Sequence, residues 1–173
     1  MKTKKWLVGL SSFLVSLVVV VSVLKVAFAQ DAVADDPKAI VTQYYDEIAN
    51  QSDSVKVKQA MDTLLGSHFE FYPPNNVDPA TGSLVHLEFL RVERTTFPDL
   101  EWTVVEMIAE DNAVAVRWTV TGTQEGDFQG LPPTGNKIDL FGMDYFKLED
   151  GHIAELHRYF DVLTLARQLG IYK

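Results

Sequence analysis

Cysteine is absent from this 173-residue chain, which removes disulfides, thiolate nucleophiles, iron–sulfur clusters and cysteine zinc sites together. Basic residues are scarce as well. Four of the 15 lysines and arginines lie in the first 29 residues, which carry no acid, and the remainder sets eleven basic against 24 acidic residues, a balance of −13. Such a surplus of carboxylates repels a polyanion, because phosphate binding needs lysine and arginine to displace counterions. Nucleic acid is therefore excluded as an expected partner. No HExxH, P-loop, GxGxxG or GxSxG pattern occurs, so metalloprotease, nucleotide and serine-hydrolase readings have no support. No metal and no cofactor is expected. The chemistry left open uses carboxylates, histidines, hydroxyls and the shape of a pocket.

One long apolar run is present. Lys2, Lys4 and Lys5 precede an uncharged stretch from Trp6 to Leu24, and Ala27-Phe28-Ala29 then supplies the small-x-small pattern of a signal-peptidase site. Cleavage is expected after Ala29, giving a signal peptide over 1–29, a linker over 30–36 and a folded domain over 37–173. An uncleaved run would be just long enough to anchor the chain in a bilayer, and a membrane partner is expected only in that case. Either way the lysines stay in the cytoplasm, so the domain is expected to be periplasmic or secreted.

Asp36 and Pro37 read as N-cap and first-turn proline, and Ile40, Val41, Tyr44, Tyr45 and Ile48 follow at helical spacing. A second helix is predicted from about Val55 to Leu65, with Gly66 as its stop. An aromatic strand follows from His68 to Tyr72, then a loop over 73–83. Ser83 can cap a third helix to about Thr96, before Pro98. Beyond that the period changes from 3.6 to 2 in four runs, Leu100 to Ala109, Ala113 to Gly122, Asn136 to Leu148 and His152 to Asp161. They predict an antiparallel meander, with Asp150-Gly151 as a two-residue hairpin turn. A short helix from Val162 to Leu169 ends the chain. Helices first and strands later argue for an α+β fold, helices laid on one face of a curved antiparallel sheet. An apolar pocket is expected between the layers.

With Glu149 opposite His152, counting back sets Phe146 against Glu155, Asp144 against His157, Gly142 against Tyr159 and Leu140 against Asp161. One face then gathers Asp144, Glu155, His157, Tyr159 and Asp161. That face lines the pocket, or it is a solvated surface or dimer contact, and the grouping depends on the register. If it is enclosed, desolvation and crowding of like charges raise one carboxyl towards neutrality, as acid/base work requires. Asp161, at the rim, is then the candidate acid/base. His157, oriented by Asp144, and Tyr159 are candidate donors, and Glu155 completes the polar wall. His68 either reaches the pocket or packs at its edge. Trp118, between Val116 and Val120, is either core or a platform for a flat ligand.

The pieces Phe97-Pro98-Asp99-Leu100, Thr121-Gly122-Thr123, Gly130-Leu131-Pro132-Pro133-Thr134-Gly135, and Asp161 followed by Gln168-Leu169-Gly170 stand in a telling order and spacing. Together they resemble the SnoaL-like polyketide cyclases, often called ester cyclases, of the NTF2-like superfamily. The resemblance implies an NTF2-like cone, a curved antiparallel sheet with N-terminal helices packed on its concave face. It also implies an aspartate before the last helix acting as general acid/base in the intramolecular aldol closure of an aromatic polyketide ester, and Asp161 looks equivalent to it. The expected function is cofactor-independent acid/base chemistry on a hydrophobic carbonyl compound: cyclisation, or a related lyase or isomerase reaction. The alternatives are a noncatalytic protein of the same fold that holds a small hydrophobic or aromatic ligand, and a homodimeric interaction module that pairs through the sheet.

Overall fold

A computed structural model describes residues 36–74 and 78–172; the expected signal peptide over 1–29 and the linker up to residue 35 lie outside the described residues. Helix α1 (Pro37–Gln43) begins where Asp36 accepts a hydrogen bond from the Lys38 amide at 3.0 Å. It then widens into a π-helical segment, Tyr44–Ala49, which brings the neighbouring Tyr44 and Tyr45 into the core together. Asp53 caps α2 (Ser54–Leu64). Strand β1 (Leu65–Tyr72) follows without a break, so Gly66 is part of a strand instead of a helix stop. A two-residue strand, β2 (Ala80–Thr81), lies in the segment read as loop. In α3 (Ser83–Thr96) the cap position belongs to Gly82, whose φ of 94° suits glycine, and Ser83 is the first helical residue. The meander is β3 (Glu101–Glu110), β4 (Ala113–Thr123), β5 (Lys137–Glu149) and β6 (His152–Phe160), and α4 (Val162–Gln168) closes the domain.

The six strands form one curved, unclosed sheet in the order β2-β1-β6-β5-β4-β3. β3 to β6 pair antiparallel in sequence order, whereas β1 joins β6 in parallel. The sheet is therefore mixed. A parallel neighbour requires a long crossover, and α3 together with the other meander strands supplies it.

The β5–β6 hairpin turns at the expected place, with Glu149 opposite His152 and Leu148 opposite Ile153, but Lys147 then faces Glu155. Ala154 is the additional residue of a β-bulge. From that point every residue of β6 is displaced by one from the count-back register, so Asp144 pairs with Arg158, Tyr145 with His157 and Met143 with Tyr159. A one-residue displacement sends each side chain to the opposite face. The polar grouping expected from the count-back register is thus split: Asp144 and Arg158 share the helix-covered face, while Glu155, His157 and Tyr159 lie on the outer face.

The inner face packs Val114, Val116, Trp118 and Val120 of β4 with Leu140 and Phe146 of β5, beneath Tyr44, Tyr45, Ile48, Met61 and Leu90 of the helices. Gly142 stands opposite Trp118, and a Cβ there would lie 2.4 Å from the indole and 2.5 Å from the Tyr159 carbonyl. Only glycine lets the indole lie across β5.

His86 sits fully buried between Phe69 and Phe71, with Nε2 2.8 Å from the Tyr44 hydroxyl and Nδ1 without a partner. Burial, reinforced by the charge of Arg158, pushes its pKa down from 6.5 to about 3. A histidine held neutral in the fold contributes stability that is present above its unfolded pKa and lost as pH falls towards the folded value. His86→Gln can keep the bond to Tyr44 without titrating. Its unfolding free energy, followed by urea denaturation between pH 6.5 and about 3, is expected to fall less steeply than that of wild type, the difference reaching a few kcal/mol, on the order of 1.4 kcal/mol per pKa unit.

Candidate functional site

A cavity of about 410 Å³ lies between the inner face of the sheet and α3. Its walls are largely apolar, with Phe89 and Phe97 on the helical side, Trp102, Trp118 and Phe160 on the sheet, and Phe128 from the β4–β5 connection. Among the described residues three polar side chains reach the lining: Thr96, Gln129 and Glu93. The Thr96 hydroxyl is occupied, donating to the Asp127 carbonyl at 3.0 Å. Among the described residues Glu93 is the ionisable group on the wall. A surface groove between α2 and α3 is larger, about 560 Å³, but its charges are already paired, Lys58 with Asp62 and Arg91 with Glu88, each at 2.6 Å.

Behind the wall lies a sealed ion pair. Asp144 and Arg158 are each 1% exposed. Arg158 donates from Nε to Oδ1 at 3.1 Å and from Nη2 to Oδ2 at 2.8 Å, and the Tyr45 hydroxyl donates to Oδ2 at 2.8 Å. The guanidinium lies 4.1 Å from the centroid of Trp102, a cation–π contact made strong by the dry surroundings. Asn50 fixes Trp102 in turn, accepting from its amide at 2.8 Å and donating to its carbonyl at 2.9 Å. Burial alone would depress the Arg158 pKa, but Asp144 and its neighbours hold it well above the usual value. Among the described residues Arg158 Nη1 has no hydrogen-bond partner, and Glu93 Oε1 stands 4.0 Å from it.

The Glu93 side chain is 23% exposed, yet its Oε2 is sealed and without a partner among the described residues. Burial pushes its carboxyl up from 4.5 to about 7, against the pull of Arg158 and with a further upward push from Asp144. A carboxyl poised near neutrality on an apolar wall can both take and give a proton. Arg94, its neighbour in the helix, is engaged elsewhere, donating to the carbonyls of Leu100 and Ala49.

The residues named from sequence fare differently. Asp161 is the exposed N-cap of α4, where its carboxylate accepts from the amides of Leu163 at 2.9 Å and Thr164 at 3.2 Å and from the Thr164 hydroxyl at 2.6 Å. These bonds, that from the Thr164 side chain first, hold its carboxyl below the usual range, the reverse of the rise an enclosed acid/base needs. His157 lies on the outer face, stacked on Tyr72 at 4.0 Å and bonded to Glu155 at 3.0 Å. Glu155 also bridges to Lys147 at 3.1 Å. Tyr159 and His68 are exposed. Asp144 does face inward, held by Arg158 instead of His157, and Trp118 serves as both core and cavity wall. Glu93, Arg158 and Tyr45 were missed. A signal for Glu93 existed, since it continues the inward stripe of His86 and Leu90 one turn further along α3. Among the described residues no three of His, Asp and Glu converge to hold a metal ion.

The segments that carry the family resemblance are scaffold. Asp99 accepts from the Thr123 amide at 2.6 Å and hydroxyl at 2.7 Å, and Gly122 lets Phe97 and Leu100 approach the same corner. The loop over 124–136 folds around Gln124, whose Nε2 donates to the carbonyls of Gly126, Leu131 and Pro132. Gln168 clamps the Asp139 backbone through bonds of 2.9 and 2.8 Å.

The model of the SnoaL-like polyketide cyclase family matches residues 39–169. Among solved structures, a protein described as a SnoaL-like polyketide cyclase from Jannaschia sp. CCS1 is 24% identical with a TM-score of 0.71, covering 79% of this chain and 93% of its own. IdmH from Streptomyces antibioticus, described as a polyketide cyclase, is 23% identical with a TM-score of 0.66, covering 78% and 99%. AclR from Streptomyces galilaeus, described as a hydroxylase, is 24% identical with a TM-score of 0.67, covering 79% and 82%. These likenesses are of fold, and a fold hosts more than one chemistry. No protein of curated function matches the chain. With three-quarters of its length matched by the family model and its sheet and helices arranged as in these neighbours, the chain belongs to the SnoaL-like polyketide cyclase family and has the NTF2-like fold.

Proposed function

We propose that the protein is a cofactor-independent acid/base catalyst of the cyclase or isomerase type, acting on a hydrophobic carbonyl compound held in the cavity. The observation that carries this reading is Glu93, a carboxyl raised to about 7 on the wall of a largely apolar cavity. Ionised Glu93 removes a proton α to the carbonyl, and the C–H electron pair passes to the enolate. In an intramolecular aldol closure the enolate carbon attacks a second carbonyl of the same molecule, and the new alkoxide takes the proton back from Glu93. In an isomerisation the proton returns to a different carbon. The cavity supplies the dry, shaped surroundings that hold the reacting carbons together.

Deuterium exchange at the α-carbon of α-tetralone in D₂O near pH 7, followed by proton NMR, tests this. Wild type is expected to accelerate exchange, Glu93→Gln to lose about 10²- to 10⁴-fold of the acceleration, and Asp161→Asn, which keeps a good cap, to retain it. Equal rates in wild type and Glu93→Gln would overturn the assignment. Saturable quenching of tryptophan fluorescence without exchange would identify a noncatalytic ligand-binding protein.

The same carboxyl leaves a mark on stability. Its folded pKa lies above its unfolded value, so its contribution is complete below about 4.5 and is lost as pH rises through about 7. Glu93→Gln is expected to gain stability over wild type across that window, by up to about 3 kcal/mol. Urea unfolding of both proteins at pH 4.5 and 8 measures the difference.

The proposal extends to place and assembly. From the lysines, apolar run and Ala27-Phe28-Ala29 of the first 29 residues, we assign the activity to the periplasm or exterior. We assign homodimerisation to the outer sheet face, where Phe141, Met143, Tyr145 and Tyr159 are exposed. Protein recovered from expressing cells is expected to begin at Gln30 and to sediment at twice its monomer mass; an intact N-terminus or a monomer counts against the respective assignment.

A further inference from the structure

We infer that the free Nη1 of Arg158 is the resting station of ionised Glu93, and that the Arg158–Asp144 pair thereby decides when Glu93 carries a proton. Arg158 and Asp144 are on this view positioning residues that act through Glu93. The inference rests on the acid/base reading of Glu93 and supplies its control.

The geometry is specific. Asp144 occupies two nitrogens of the guanidinium, Nε at 3.1 Å and Nη2 at 2.8 Å. The third, Nη1, is sealed from solvent without an acceptor, and Glu93 Oε2 is sealed without a donor. Between Nη1 and Glu93 Oε1 the gap is 4.0 Å, about 1 Å beyond a hydrogen bond. A guanidinium nitrogen without an acceptor thus faces a carboxyl whose nearer oxygen stands 4.0 Å away and whose other oxygen is sealed without a donor, a spacing that a small movement of the carboxylate closes. Ionised, Glu93 gains a charge-assisted bond by closing on Nη1. Protonated, it has no reason to approach a cation, and its O–H is free for a molecule in the cavity that it lines.

The groups around it do not confuse the titration. Arg158 comes from β6, Asp144 from β5, and Arg94 and His86 from α3, while Tyr44 and Tyr45 come from the π-helical segment. Burial raises both tyrosines and lowers His86 to about 3. None of these three changes charge near neutrality. Because Asp144 already neutralises Arg158, Glu93 receives only part of the cation's attraction and stays near its switching point.

The test reads Glu93 directly and needs no substrate. In protein labelled with ¹³C-glutamate, the Glu93 carboxyl signal is the one absent from Glu93→Gln, and its pH titration gives the midpoint. Arg158→Met is expected to raise the midpoint by about one to three pH units, because the cation is gone. Asp144→Asn is expected to lower it by about one unit or more, because Arg158 is released to Glu93. Arg158→Lys is expected to bring the midpoint back towards wild type. Near-UV circular dichroism of Trp102 and Trp118 reports folding; if Arg158→Met does not fold, the Asp144→Asn titration decides. An Asp144→Asn midpoint that is unmoved or moves upward overturns the inference. Loss of the exchange activity alone would not touch it, and an unmoved midpoint would leave the acid/base assignment standing.

Discussion

The buried pair of Arg158 and Asp144 is the interaction on which the rest of the site depends. Two charges removed from water are expensive unless every hydrogen-bonding position near them is used well. Here two guanidinium nitrogens and the Tyr45 hydroxyl converge on one carboxylate, and the Trp102 ring covers the cation. Truncating either partner would strand the other, at about 3–5 kcal/mol. Two local irregularities and one side-chain clamp make the convergence possible. The π-helical turn turns Tyr44 and Tyr45 inward together, the bulge at Ala154 turns Arg158 inward, and Asn50 grips both backbone groups of Trp102.

Among the described residues, sealed polar atoms without partners gather around this pair: His86 Nδ1, Glu93 Oε2, Trp102 Nε1, Trp118 Nε1 and Arg158 Nη1. Sealed polar groups without partners cost about 1–3 kcal/mol each, and a folded protein keeps few of them. Two of those present, Glu93 Oε2 and Arg158 Nη1, belong to side chains that approach within 4.0 Å of each other. Their shared location ties a stability deficit to the wall of the apolar cavity. The same low dielectric that makes the pair costly raises the Glu93 carboxyl to about 7, so stability and proton chemistry have one physical origin.

The family resemblance and the proposed chemistry reside in different parts of the chain. The Phe97–Leu100 corner, the loop around Gln124 and the Gln168 clamp hold strands and helices together. Glu93 and Arg158 lie outside those segments, on an α-helical face and beyond a bulge. Neighbours described as cyclases and as a hydroxylase share this architecture.

The helices, the meander and the Asp150-Gly151 turn were legible in the sequence, because caps, turn residues and hydrophobic period act over a few residues at a time. The class of fold followed from their order. Which side chains meet was determined otherwise. One additional residue, Ala154, reverses the facing of the β6 side chains from Glu155 to Phe160, and no alternation pattern announces it. Asp161, chosen from sequence, became a cap because its three acceptor bonds are local to α4. Glu93 acquired its character only through burial beside Arg158 and Asp144, residues far along the chain. Local structure was thus determined by the sequence through short-range preferences, whereas the facing of β6, the buried pair and the proton affinity of Glu93 were decided by the tertiary structure, since desolvation and register exist only once distant segments have packed.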